Sequence, residues 1–216
     1  MNESIPLSQK LYLLGINPQK GGIIAASYTA MDYVLIGTLF LELYQNKNIN
    51  FENKRIVILN AKSDNSLHQF LLEKIGKSKR PLRISRWINK FYFSVKHIRK
   101  EVQQGLVEKR IIRIQPKKFL FFRWGKPFLI DKQVVYKLVA EIEKLIFSGS
   151  ANEDEIILLS FIKPAGLLKR IFPEREKRKK AKQKMNQLIV ENQVSIAVAD
   201  AISAAHAVAA SAATIT

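Results

Sequence analysis

Apolar residues recur at intervals of three and four along most of the chain, and this spacing predicts helices. The most apolar segment, residues 30–44, carries only Asp32 and Glu42 as charged residues. At 15 residues it is shorter than the roughly 20 residues that span a bilayer, so we predict a helix buried in the fold. Further helices are predicted at residues 8–15, 63–76, 80–93, 95–108, 132–147 and about 194–212.

A β-hairpin is predicted at about residues 111–130. Two apolar runs, Ile111–Ile114 and Phe119–Phe122, flank residues 115–118, which are expected to connect the two strands. One further strand is expected around Ile56–Ile58. The predicted fold class is therefore mainly α, a single multi-helical domain around a buried apolar helix with one projecting β-hairpin.

Composition favours one domain over residues 1–216. The apolar fraction of 47% is enough for one substantial core. The absence of cysteine excludes disulfides, a thiol nucleophile and thiolate metal sites. The first ten residues lack the basic and then apolar pattern of a secretory signal, and we expect a cytoplasmic protein.

Positive charge is concentrated in two segments. The chain has 36 basic and 18 acidic residues, for a formal net charge of +18. Residues 78–126 hold 15 basic and 2 acidic residues, and residues 163–184, which include the basic run at about 169–184, hold 10 and 2. An excess of this size and clustering predicts a polyanionic partner, either nucleic acid or an anionic membrane surface.

Residues typical of enzymes and metal sites are few and scattered. His68, His97 and His206 have no partner at metal-ligand spacing, and Gly21–Gly22 is only a pair, not a phosphate-binding loop. The acidic run Glu153–Glu155 precedes an apolar helix, where carboxylates favour the positive end of the helix dipole. We therefore expect no catalytic site, no metal and no cofactor.

The helix before the hairpin has one apolar and one basic face. Lys96, Arg99 and Lys100 fall at three- and four-residue spacing and form one patch. The opposite stripe contains Val95, Ile98, Val102 and Leu106. The patch could be an ordinary solvated face or could clamp a phosphate, and the surrounding charge cluster favours binding.

The hairpin alternates aromatic and basic residues. The aromatic residues are Phe119, Phe121, Phe122, Trp124 and Phe128, and the cations between them are Lys117, Lys118, Arg123 and Lys126. This composition suits a membrane interface and also suits stacking on single-stranded nucleic acid. A third interpretation, aromatics in the core and cations outside, is favoured over either by the alternation alone.

Seven motifs in order resemble one known family. They are LYLLGINPQKG, the apolar helix ending in GTLFLEL, RIVILNAKSDNSLHQFLLEKI, ISRWI, GLVEKRII, FLFF and an alanine-rich end. Over about residues 7–210 the chain resembles the Golgi phosphoprotein 3 family in its compact, prokaryote-like form. The resemblance implies a mainly helical domain whose hairpin supports oligomerisation and membrane contact. Eukaryotic members bind phosphatidylinositol 4-phosphate at Golgi membranes and retain glycosyltransferases by their cytoplasmic tails.

The family also implies a headgroup site. Its two basic residues, three apart on the helix before the hairpin, fall on Lys96 and Arg99 here. The other two positions do not match, since Ser27, or Ala26 when counted from LLG, replaces a tryptophan and Ile36 replaces an arginine. A pair of cations still holds a phosphate, so a general preference for anionic lipids is expected.

Our first hypothesis is a non-enzymatic peripheral membrane protein located in the cytoplasm. Lys96 and Arg99 would bind lipid phosphate, with supporting contacts from Lys100 and Arg123. The membrane-contacting hairpin residues would be Phe121, Phe122 and Trp124.

The resemblance also implies homo-oligomerisation through the hairpin and binding of membrane-protein cytoplasmic tails. The alternative hypothesis is a winged-helix-like nucleic-acid-binding protein, in which the hairpin serves as the wing. A scaffold that only oligomerises is a third.

Overall fold

The computed structural model describes residues 5–119 and 122–189, with the backbone alone for residues 119, 122 and 123. This part of the chain forms nine α-helices and two small antiparallel hairpins around one hydrophobic core, which confirms the predicted mainly α single domain. The predicted helix at residues 194–212 lies outside the described residues. The helices are α1 (Leu7–Gly15), α2 (Ala30–Gln45), α3 (Ser66–Gly76), α4 (Ile84–Tyr92), α5 (Val95–Glu108), α6 (Lys132–Ser148), α7 (Glu153–Ile162), α8 (Leu168–Ile171) and α9 (Arg175–Ile189).

Helix α2 is the centre of the core, as its apolar sequence predicts. Only Asp32, Tyr44 and Gln45 among its 16 residues escape full burial, and it packs against α1, α4 and α5. An apolar residue is most stable where it loses contact with water on all sides, so a helix that is apolar all round belongs in the interior. In the described residues, no helix combines the length and hydropathy of a bilayer span.

A buried carboxylate ties three helices together. Glu42 on α2 is 8% exposed, and its Oε2 lies 2.8 Å from Nε2 of His68 on α3. Its Oε1 accepts a hydrogen bond of 2.7 Å from the backbone amide of Ser8. Helix α1 begins at Leu7, one residue before the predicted start, and its N-cap is Pro6, so the sequence-based choice of Ser8 as N-cap is wrong. The Ser8 amide instead lies in the first turn, where Glu42 satisfies it.

The strand predicted around Ile56–Ile58 is confirmed, and it belongs to a first hairpin that was not predicted. Strands β1 (Ile49–Glu52) and β2 (Arg55–Ile58) pair antiparallel. The turn residues Asn53 and Lys54 both have positive φ, 50° and 61°. A two-residue turn of this kind matches the twist of the paired strands, and Asn is one of the residues that adopt it readily.

The second hairpin pairs β3 (Ile112–Phe119) with β4 (Phe122–Leu129). The predicted connection at residues 115–118 is wrong, because these residues continue the ladder opposite residues 123–126. Pro116 indicated a turn, since it has no amide hydrogen to donate. Each strand of a two-stranded ribbon is an edge strand, however, and an edge tolerates proline.

The C-terminal helices follow the predicted capping. Asn152 accepts from the amide of Glu155 at 3.0 Å and donates its own amide to the Glu155 carboxylate at 2.7 Å, so the acidic run begins α7 as a capping box. Helix α7 ends at Ile162, just before Pro164. The basic run forms α9, which packs on α6 and α7 and buries Ala181.

Candidate functional site

A cavity of about 680 Å³ lies between the loop after α1, the start of α2, helix α5 and the second hairpin. We call it the basic cavity. Its wall contains four cations, one carboxylate and three aromatic side chains, namely Lys20, Arg99, Lys117 and Lys126, then Asp32, then Tyr12, Tyr28 and Trp124. Within the described residues, none of the three lysines forms an ion pair, so the cavity carries unbalanced positive charge.

Two glycines bring the hairpin to the cavity. Gly21 and Gly22 have φ of +65° and +71°, and the amide of Gly22 donates to the carbonyl of Pro127 at 2.7 Å. A Cβ on Gly21 would lie 2.7 Å from that carbonyl oxygen and from the Phe128 ring. The glycine pair therefore serves a turn and a close approach of two chain segments.

One face of the second hairpin contributes one aromatic ring and two cations to the wall of the basic cavity. Lys117 stands directly opposite Trp124, and Lys126 follows Trp124 by two residues, so the three side chains share a face. Trp124 is 50% exposed. The interpretation that places aromatics inside and cations outside does not hold for Trp124. Phe121 and the side chains of Phe122 and Arg123 lie outside what the structure describes.

Helix α5 has the two faces that its sequence predicts. Val95, Ile98, Val102 and Leu106 are all buried. On the other face Lys96 and Lys100 are exposed, whereas Arg99 is only half-buried. The structure thus brings Arg99 into the wall of the basic cavity and leaves Lys96 and Lys100 outside it.

An ion pair holds the Arg99 guanidinium. Its Nη2 lies 2.5 Å and 2.6 Å from the two carboxylate oxygens of Asp32, and its Nε donates to Oδ1 at 3.2 Å. Burial alone lowers the pKa of Arg99, but the hydrogen bonds and charge of Asp32 outweigh it and raise the pKa above its ordinary value. The guanidinium is therefore charged and fixed, and its Nη1 makes no hydrogen bond to another described residue.

Tyr12 adds a neutral polar group to the wall of the cavity. Tyr12 is 1% exposed, and its hydroxyl accepts a hydrogen bond of 2.5 Å from Gln103 on α5. Burial raises the pKa of Tyr12 to about 12, so the phenol keeps its proton at ordinary pH. The charge of the cavity consequently comes from Lys20, Lys117, Lys126 and the Arg99–Asp32 pair.

The unmatched family positions Ser27 and Ile36 face the core, whereas Ala26, the alternative to Ser27, is exposed. Ser27 and Ile36 are 0% exposed, so neither side chain can contact a ligand. The next residue, Tyr28, is 69% exposed and lines the cavity. Sequence reasoning missed Tyr28 and Asp32. The available signals were an aromatic beside the family's tryptophan position and a lone acid early in an apolar helix.

Histidines and acids do not assemble into a metal centre within the described residues. His68 is paired with Glu42, and the His97 ring lies 4.8 Å from that of Phe70. His206 lies outside the described part of the chain.

Comparison with known proteins gives one result. No curated protein matches the chain. The sequence model of the family described as Golgi phosphoprotein 3 (GPP34) matches residues 7–205 of the 216. A match of this extent is consistent with a non-enzymatic adaptor. The chain belongs to the Golgi phosphoprotein 3 family.

Proposed function

We propose that this protein is a non-enzymatic peripheral membrane protein that binds the phosphate of anionic lipid headgroups in the basic cavity. The observation that carries the proposal is the set of three lysines, which form no ion pair with any described residue, around the fixed guanidinium of Arg99. Exposed Tyr28 and Trp124 stand in the same wall.

The chemistry of the wall suits a phosphate monoester or diester. Lys20, Lys117 and Lys126 supply flexible ammonium groups, whereas Arg99 offers a planar donor already oriented by Asp32. The two exposed aromatic side chains are of the type found at headgroup level in membrane proteins. Cations and rings together fit the boundary between lipid phosphate and acyl chain.

Selectivity should be broad. Ser27 and Ile36 are buried and supply neither the tryptophan ring nor the second arginine that the family's headgroup site has at these positions. Phosphatidylinositol 4-phosphate therefore counts as one acidic lipid among several, and cardiolipin and phosphatidylglycerol should bind too. Exposed Lys96 and Lys100 would add nonspecific attraction of about 1 kcal/mol each near an anionic surface.

The test is vesicle co-sedimentation at physiological salt with phosphatidylcholine vesicles that contain phosphatidylglycerol, cardiolipin or phosphatidylinositol 4-phosphate. Charge reversal at Lys117 and Lys126 should remove most binding to all three. The matched control reverses Lys179 and Lys180, which are exposed on α9 and change the net charge equally.

Equal losses in the two double variants would show that only net charge matters and would contradict a site in the cavity. Tight binding to duplex DNA without vesicle binding would favour the nucleic-acid hypothesis instead. Self-association through the hairpin and binding of cytoplasmic tails stay predictions from the family resemblance.

A further inference from the structure

The turn between α4 and α5, residues Phe93 and Ser94, exposes a large apolar side chain. Phe93 is 92% exposed, more than any other large apolar side chain that the structure describes. Phe91 and Val95, two residues before and two residues after it, are both buried. The core therefore includes Phe91 and Val95 and leaves the Phe93 ring in water.

The turn is well fixed by contacts that do not involve the Phe93 ring. The amide of Ser94 donates to the carbonyl of Phe91 at 2.8 Å, and the amide of His97 donates to the backbone carbonyl of Ser94 at 3.0 Å. The Tyr92 ring stacks on Tyr33 of α2 at 4.8 Å between centroids. A fixed turn presents the ring to a partner with little ordering left to do on binding.

The charge around the turn has one sign. Residues 74–100 contain ten lysines and arginines and no aspartate or glutamate. Lys90 and Lys96 are each three residues from Phe93 and are both exposed. A second copy of this chain would bring the same cations against these, whereas an anionic bilayer offers opposite charge and an apolar interior.

We propose that Phe93 inserts into an anionic phospholipid bilayer while Lys90 and Lys96 contact lipid phosphates. The inference rests on the proposed function and adds a second, separate membrane contact to it. Phe93, Lys96 and Arg99 follow at three-residue spacing, so the turn lies roughly 9 Å from Arg99 along α5.

Insertion can be measured directly because the chain has no cysteine. A polarity-sensitive dye on Phe93→Cys should shift to the blue with vesicles of phosphatidylcholine and phosphatidylglycerol, and nitroxide-labelled acyl chains should quench it. The matched control is Leu59→Cys, at a side chain that is 60% exposed in the loop after β2. Its dye should stay in water.

A dye at residue 93 that stays in water on bound protein would overturn the inference, as would equal insertion at residue 59. A blue shift that appears at rising protein concentration without vesicles would show self-association, which also overturns it.

Affinity gives an independent measurement. Phe93→Ala should lower the vesicle partition coefficient about tenfold, because a buried phenyl ring is lost. Phe93→Trp should retain it. The melting temperature should not change, since the ring makes no core contact.

Binding of water-soluble glycerol phosphate, measured by calorimetry, separates the two proposals. It should be unchanged by Phe93→Ala and abolished by reversing Lys117 and Lys126. Unchanged vesicle affinity in Phe93→Ala would overturn the inserted ring and leave the cavity proposal standing. Wild-type protein that binds neither glycerol phosphate nor vesicles would overturn both.

Discussion

Two cavities in this protein differ in what their polar groups already do. The larger, about 980 Å³, lies among α1, α2, the start of α3 and the start of α7, and we call it the polar cavity. The basic cavity is smaller, at about 680 Å³. Volume alone would select the polar cavity as the binding site, but the hydrogen bonds select the other.

Side chains of the polar cavity hold the fold together. Asn48 donates to the backbone carbonyls of Asn60 and Lys62, at 3.2 Å and 2.8 Å. Asn65 caps α3 through the amides of Leu67 and His68, at 3.0 Å each. Asn48 and Asn65 are already hydrogen-bonded to backbone groups. A ligand that used their side chains would have to displace these hydrogen bonds.

The basic cavity leaves its donors available. Lys20, Lys117 and Lys126 have no ion pair with any described residue, and the Lys126 ammonium lies 5.5 Å from the centroid of the Phe128 ring. The polar cavity also contains two lysines, but four carboxylates share its wall, whereas the basic cavity has four cations and one carboxylate. Excess charge therefore identifies a site better than empty volume does. We therefore expect substitutions of the hydrogen-bonded side chains in the polar cavity to change stability, and substitutions of the charged side chains in the basic cavity to change binding.

The largest expected effect tests the structural side of this comparison. Glu42→Ala removes the partner of both His68 and the Ser8 amide in a buried place. We expect a loss of about 3 to 5 kcal/mol in the free energy of unfolding, measured with chemical denaturant. The control Glu176→Ala, exposed on α9, should change it by less than about 0.5 kcal/mol.

The fraction of the Glu42→Ala variant that stays folded should bind anionic vesicles as the wild type does. If the variant is as stable as the wild type and binds vesicles more weakly, the division of roles between the two cavities is wrong.

A smaller loss in the free energy of unfolding is expected from substitution of Gly21, where the second hairpin contacts the glycine pair. Gly21→Ala and Gly149→Ala both introduce a Cβ at positive φ, +65° and +74°. Only at Gly21 does the new Cβ meet other atoms, since nothing lies within 4 Å at Gly149. We expect a loss of about 1 kcal/mol for Gly149→Ala and about 2 to 3 kcal/mol for Gly21→Ala, by thermal and denaturant unfolding.

Gly21→Ala should also weaken vesicle binding, because the hairpin carries Lys117 and Trp124 to the cavity. Equal losses of stability in the two glycine variants would show that the close approach to Pro127 contributes nothing.

The sequence predicts the helices well because their apolar periodicity reports burial directly. Helix α5 is an example, with all four residues of its predicted stripe buried. The strands are predicted less well. Pairing in β3 and β4 depends on partners across the ribbon, and Pro116 looks like a turn until the opposite strand is known.

Only part of the basic cavity can be predicted from the sequence. Arg99 follows from helical spacing, but its partner Asp32 is 67 residues away, and no local pattern connects them. Lys20 and Tyr28 come from a loop whose path depends on the two glycines and the hairpin. Lys96 has the same helical spacing as Arg99 but lies outside the cavity wall. Spacing predicts which face of a helix a residue is on, but it does not predict which other element packs near that face.

The smallest expected effect concerns Asp32. Its carboxylate accepts hydrogen bonds from two nitrogens of the Arg99 guanidinium. It also adds negative charge to the cavity in which we propose that a phosphate binds. Asp32→Asn should raise the affinity for phosphatidylglycerol vesicles severalfold, by about 1 kcal/mol, since a like charge near the phosphate is removed. Lys20→Gln, which removes a cation from the same wall, should lower it by a similar factor. If Asp32→Asn lowers affinity as Arg99→Gln does, then Asp32 acts mainly by orienting the guanidinium, and geometry outweighs charge at this site.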